Sequence, residues 1–176
     1  MATEEQEIDW IYFELNDRKY RIDREDSNNL QHWKDIWRGQ AMKKPYWWSI
    51  KLTKTRAGYL HFKVYGDRHY FLNRVVYYAH NQDWNLYDCS TNNFIDHIDQ
   101  NPLNNHISNL RVATTSENQQ NQNVKGYSYH KGMKKWQPQL RLNGKNIYLG
   151  YYDTEEEARE GYLKAKREHH PFFHES

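Results

Sequence analysis

Between Ile95 and Asn118 the chain reads Ile-Asp-His-Ile-Asp-Gln-Asn-Pro-Leu-Asn-Asn-His-Ile-Ser-Asn-Leu-Arg-Val-Ala-Thr-Thr-Ser-Glu-Asn. Asp96 and His97 set a carboxylate beside an imidazole, and asparagines return at Asn109 and Asn118. Hydrolysis of a phosphodiester needs a deprotonated water and a cation to neutralise the charge that builds on phosphate and leaving oxygen. The Asp-His pair offers one group for each task. In an extended segment neighbouring side chains point to opposite faces, so a metal and a substrate could reach one strand from different sides.

Leu110-Arg111-Val112-Ala113 reads as a short strand, and Thr114-Thr115-Ser116-Glu117 has the Thr-x-x-Glu spacing of a capping box, which predicts a helix starting near Thr115. Asn118 then falls in the first turn, where its carbonyl oxygen can share a hard cation with Asp96 and with phosphate oxygens. Asn101, Asn104 and Asn105 suit a tight polar loop, because Asn tolerates left-handed backbone angles. An isolated Asp-His dipeptide is most often a solvated turn; the joint pattern is what carries chemistry. His32, His61, His69, His80, His106 and His130 read as surface or core residues.

Asp96-His97, the Asn104-Asn105 pair, Ser108-Asn109-Leu110-Arg111-Val112 and Glu117-Asn118 together resemble the ββα-metal core of HNH nucleases, in the form with a final Asn in place of the last His. With its flanks the resemblance covers about a quarter of the chain. It implies that His97 is the general base, that Asp96 and Asn118 are ligands of Mg2+, Mn2+ or another divalent cation, and that Asn109 braces the loop that orients His97. Ahead of this core, Tyr70 to Ala79 resembles the helix that begins His-Arg-Leu-Val in many phage-type relatives; Asn73 stands where that His is usual, followed by Arg74.

The single cysteine, Cys89, excludes an internal disulfide and a multi-cysteine zinc site, so no structural zinc is expected. The fold must rest on an apolar core rich in rings, with seven Trp and 15 Tyr among 176 residues. A mean hydropathy of −1.21 and the lack of any apolar run near the roughly 20 residues of a spanning helix argue against a membrane partner. The acidic start, Met-Ala-Thr-Glu-Glu-Gln-Glu, lacks the apolar stretch of a secretory signal, so an intracellular site, cytoplasm or host nucleus, is expected.

Net charge is only +2, but it is unevenly spread. From Arg38 to Arg74 nine basic residues, among them Lys51, Lys54 and Arg56, meet one acid, Asp67; from Lys125 to Lys145 six meet none. Such runs are usually solvated faces, yet two of them flanking a nuclease-like core point to phosphate contact.

Residues 1 to 45 hold a strand pair, Trp10–Leu15 and Lys19–Ile22 around Asn16-Asp17, and then a polar stretch from Asp23 to Gly39 of no evident role. Residues 46 to 123 form the nuclease domain: Ile50-Lys51-Leu52, Tyr59 to Val64 and Arg68 to Phe71 alternate as strands, with Gly66-Asp67 as a hairpin signature, ahead of the core near 94 to 123. In residues 124 to 176, Gly126 to His130, Lys135 to Leu142 and Lys145 to Tyr152 read as three strands, the last two joined by Asn143-Gly144. Thr154-x-x-Glu157 then opens a helix with Ala158, Tyr162 and Ala165 on one face. This part resembles an AP2-type DNA-binding domain, which implies a three-stranded sheet in the major groove and DNA contacts from Lys131, Lys134, Lys135, Trp136, Gln137, Gln139, Arg141 and Lys145. Arg74 and Arg111 complete the expected DNA-contact set.

The expected fold is therefore α+β: a small antiparallel sheet leading into a ββα-metal core, then an AP2-like three-stranded sheet packed on one helix. The expected function is metal-dependent cleavage of double-stranded DNA by a homing-type endonuclease that nicks as a monomer or cuts both strands as a homodimer. A sequence-specific DNA-binding protein with a degenerate core is the alternative, motivated by Asn73 and Asn118. An RNA-binding or RNA-cleaving protein fits less well, since a helix-backed, Lys-rich sheet suits duplex grooves at least as well as single strands.

Overall fold

The computed structural model describes residues 8–38, 41–64 and 68–175. The acidic start at residues 1–7 and the Gly66-Asp67 hairpin signature lie outside them. The architecture is mixed α and β, with several small antiparallel sheets and three helices. The chain divides into two compact units, Met1–Val112 and Ala113–Ser176.

The first unit opens with a four-stranded antiparallel meander, β1 (Trp10–Leu15), β2 (Arg18–Asp23), β3 (Leu30–Arg38) and β4 (Ala41–Ser49). Asn16 and Asp17 both take positive φ, 48° and 58°, the requirement of the tight hairpin turn that matches strand twist. The polar stretch after Asp23 is therefore half strand, and β4 straddles the boundary expected at residue 45. Phe13, Leu15, Tyr20, Ile22 and Leu30 turn one face of β1–β3 into the core, and ring contacts such as Trp33 to Trp47 at 5.1 Å join β3 to β4.

Next come β5 (Thr53–Lys54), β6 (Leu60–Val64) and β7 (Arg68–Phe71), a second antiparallel sheet. The expected Ile50-Lys51-Leu52 strand is not formed; pairing with β6 begins only at Thr53, opposite His61, and Ile50 and Leu52 pack against the core instead. Helix α1 (Leu72–His80) starts two residues after Tyr70, because Tyr70 and Phe71 are still paired with β6. The short strands β8 (Phe94–His97) and β9 (Leu110–Ala113) form a two-stranded sheet, with a 3₁₀ turn at Ile107–Asn109 before β9.

One core joins these elements. Leu15, Ile22, Leu30, Phe62, Leu72, Val75 and Val76 are almost wholly buried in it, and each such apolar side chain contributes roughly 1.5–3 kcal/mol.

The second unit begins with α2 (Thr115–Asn121), opened by the expected capping box: Thr114 Oγ1 accepts from the Glu117 N–H, and the Glu117 carboxylate accepts from the Thr114 N–H. Strands β10 (Tyr127–His130), β11 (Lys135–Leu142) and β12 (Lys145–Tyr148) follow as a three-stranded antiparallel sheet. Asn143 and Gly144 turn between the last two with φ of 50° and 77°. Helix α3 (Glu155–His169) is capped by Thr154 and Glu157 in the same reciprocal way and buries Ala158, Tyr162, Ala165 and Lys166. Gly126, at φ +69°, lies so close to the Tyr162 ring that no Cβ could be accommodated there.

Candidate active site

Strand β8 places Asp96 and His97 in sequence, and both are buried, at 6% and 5% exposure. Their environments differ, as alternation along a strand requires. Asp96 faces β9, where Arg111 Nε and Nη2 donate to its Oδ2 at 2.9 and 2.8 Å. His97 faces the loop that follows and approaches the ring of Tyr59, 5.8 Å away between centroids.

The loop fixes the imidazole. His97 Nε2 lies 3.1 Å from Oδ1 of Asn105, itself only 3% exposed. The Asn105 amide nitrogen points to the carbonyls of Pro102 and Leu103, which orients Oδ1 toward the ring. An amide oxygen only accepts, so Nε2 carries the proton in this bond, and the lone pair of the neutral imidazole resides on Nδ1.

Asn109 ties the same loop at four points. Its Nδ2 donates to Asp99 Oδ1 and to the Asn104 carbonyl, both at 2.8 Å. Its Oδ1 and carbonyl accept from the N–H groups of Asp99 and Ile98. Partial burial of Asp99 opposes its charge, but hydrogen bonds from Asn104, the Asn101 N–H and Asn109, with nearby His97, outweigh it and hold the carboxyl below its ordinary range. The expectation that Asn101, Asn104 and Asn105 serve left-handed backbone is corrected: the positive φ in this loop belongs to Gln100, at 63°, and the three asparagines act through side-chain hydrogen bonds.

Upstream, Asn73 is buried in α1 and donates to the Ile95 carbonyl at 3.1 Å, one residue before Asp96. Its Oδ1 is buried with no partner. Asn118 lies half-buried in the first turns of α2. Among the described residues no three His, Cys, Asp or Glu side chains gather as a metal cluster, and no helix is long and apolar enough to cross a membrane.

The basic residues of the expected DNA-contact set divide by environment. Lys51, Lys54 and Arg56 are exposed. Arg74 is occupied within the fold: Nη1 donates to the Asn93 carbonyl at 2.7 Å, and Nη2 to those of Leu86 and Asp88 at 2.6 and 2.8 Å. Arg111 is likewise engaged by Asp96. In the second unit, Lys131 and Lys134 are exposed at the β10–β11 turn. Alternation along β11 puts Lys135, Gln137, Gln139 and Arg141 on one face, away from the buried Pro138 and Leu140. Trp136 shares the opposite face and contacts the rings of Tyr127 and Tyr129. Lys145, opposite Leu142 in the register, is exposed on that side too. The run free of acids in sequence meets acids in space: Lys125 pairs with Glu155 and Lys135 with Asp153, at 2.8 and 3.0 Å.

Sequence reasoning gave Asn105 a place in the loop but no role toward His97, and it did not single out Asp99 or Tyr59. The alternation Asp99-Gln100-Asn101, whose side chains cap N–H groups two residues on, was the one local signal available.

Residues 70–120, from β7 to α2, match the family model described as HNH endonuclease. That segment is therefore similar to HNH endonucleases. Over 61 residues it is 39% identical to the SPbeta prophage-derived protein YosQ of Bacillus subtilis (strain 168), named as a candidate HNH homing endonuclease. That likeness covers 35% of this chain and 32% of YosQ, so the chain spans about a third of that relative's length. No solved structure matches the chain.

Proposed function

We propose that the chain is a divalent-metal-dependent DNA endonuclease of the homing type. The observation that carries this reading is the bond from His97 to Asn105. With Nε2 donating to Asn105, Nδ1 is the ring atom that can take a proton from water, and His97 follows a buried carboxylate in the segment that matches the HNH model.

The donors fit Mg2+, Mn2+ or a similar ion. Asp96 supplies a buried anionic oxygen already held against the positive charge of Arg111, and Asn118 a neutral carbonyl oxygen; hard cations take oxygen donors of both kinds and keep several waters. Bound there, the ion would neutralise charge on the phosphate and the leaving 3′-oxygen. Asp96 would be one ligand and Asn118 the other that the resemblance implies; His97 would accept the water proton at Nδ1, with Asn105 fixing the ring and Asn109 keeping the loop in place through Asp99. Duplex DNA is held by Lys51, Lys54 and Arg56 in the first unit. In the second it is held by the Lys135, Gln137, Gln139 and Arg141 face of an AP2-like sheet, with Lys131 and Lys134 at its turn. A single core cuts one strand, so a monomer nicks and a homodimer cuts both.

Supercoiled plasmid incubated with Mg2+ or Mn2+ should convert to nicked circles, and EDTA should prevent it. His97→Ala should slow nicking by at least about 100-fold with DNA affinity unchanged. Cutting at the wild-type rate by this variant removes the base assignment. Absence of metal-dependent nicking on any plasmid or cognate site leaves a sequence-specific DNA-binding protein with a degenerate core.

A further inference from the structure

The outer face of the β5–β6–β7 sheet carries an unbroken line of rings that ends at His97. His69 lies 5.0 Å from His61, His61 6.4 Å from Phe71, Phe71 6.2 Å from Tyr59, and Tyr59 5.8 Å from His97, all between centroids. The register explains the alignment: His61 is opposite Phe71, while the neighbouring pair, Phe62 and Tyr70, turns inward and is buried. A folding core does not need this line, because Tyr59 and Phe71 remain 38% and 44% exposed. The surrounding chain is strongly basic. From residue 36 to residue 66 there is no Asp or Glu, and Lys51, Lys54 and Arg56 are exposed beside the sheet.

We infer that this face is a stacking platform for unpaired nucleotides of the DNA strand next to the bond to be cut. Flat rings within a basic field recognise the π-faces of bases and the phosphates that link them, and they do so with little regard to sequence. A fully paired duplex hides those faces inside its stack, so the platform gains a partner only where bases are unstacked or flipped. A second copy of the chain is the poorer occupant, because two patches ringed by the same positive charge repel. The location makes the platform part of the nuclease site, and the inference rests on the reading of that site given above.

The test measures binding by the full chain in EDTA, so that no cutting occurs. Two labelled DNAs are compared, a fully paired duplex and the same duplex with a short unpaired bulge containing 2-aminopurine. The bulged DNA should bind roughly ten-fold more tightly, with the 2-aminopurine emission quenched by stacking. Phe71→Ala and His61→Ala should each erase most of that preference while leaving affinity for paired DNA unchanged, and Phe71→Trp should retain it. Equal wild-type affinity for the two DNAs, or equal loss on both in the variants, overturns the platform. So does a change in oligomeric state on Phe71→Ala, which would make the face a contact between copies. Nicking without a bulge preference would sink the platform and leave the nuclease; a bulge preference without nicking in any metal would do the reverse.

Discussion

His97 donates from Nε2 to the side-chain oxygen of Asn105, eight residues further along the chain, with both residues buried. The ring is thereby fixed in tautomer and orientation by a neutral partner rather than a carboxylate. A carboxylate would favour the imidazolium, so that less of the ring would be in the neutral, proton-accepting form near neutral pH.

Asn105→Ala should lower the nicking rate by roughly 10- to 100-fold, the usual cost of losing the group that orients a functional histidine, with DNA affinity unchanged. Asn105→Asp should keep the acceptor but move the acidic limb of the pH–rate profile to higher pH, because the added charge stabilises the imidazolium. A residue that merely shapes the loop would leave that limb in place.

Arg74→Met tests whether this arginine serves the fold or the DNA. Three backbone carbonyls lose a charged donor, the Asp88 carbonyl keeping the Asn93 amide, and charge-assisted bonds are worth about 1.5–3 kcal/mol each but are not additive. A net loss of about 3 kcal/mol should lower the melting temperature by roughly 6–12 °C. Affinity for duplex DNA, measured well below the new midpoint, should stay within about two-fold. Lost affinity with an unchanged melting temperature would instead make Arg74 a phosphate contact.

His170 gives the second unit a pH dependence. Burial lowers its pKa, with Lys166 and His169 acting in the same direction and the Arg141 carbonyl opposing them. Its Nε2 donates to that carbonyl at 3.0 Å, while Nδ1 is buried without a partner. The unfolded chain therefore takes up the proton first as pH falls below the ordinary value of about 6.5, and stability declines from there down to the folded-state pKa. The protection of α3 amides against exchange, taken relative to the intrinsic rate at each pH, should fall as pH drops below about 6.5, and His170→Gln should flatten the change. An unaltered slope in the variant would assign the effect to other groups.

Local rules reached much of this fold. Both capping boxes and the Asn143-Gly144 turn were legible because each is decided by residues within four positions of one another. Strands β3 and β4 were not, since Trp33, Trp47 and Trp48 break the period of two, and their stability comes from pairing across the sheet. Ile50-Lys51-Leu52 showed the opposite failure: its alternation was real, but Ile50 donates its N–H to the Leu30 carbonyl and pairing with β6 begins only at Thr53. In the site, Asp96, His97 and Asn109 could be singled out by pattern. Asn105 could not be told from Asn101 and Asn104, because what separates them is the direction of one amide in the folded loop.

The loop from Ile98 to Asn109 is held mainly by amides around one carboxylate, Asp99, with no ion pair to arginine or lysine among the bonds described for it. Added salt weakens the grip of exposed lysines and arginines on a polyanion steeply, but it has little purchase on short hydrogen bonds from amides to one carboxylate and to carbonyls, partly buried at Asn109. Ionic strength is thus a lever that acts on capture and release of a charged partner while the posture of the His97 ring stays constant, so rates compared at saturating DNA, fixed pH and fixed metal should be nearly indifferent to added salt.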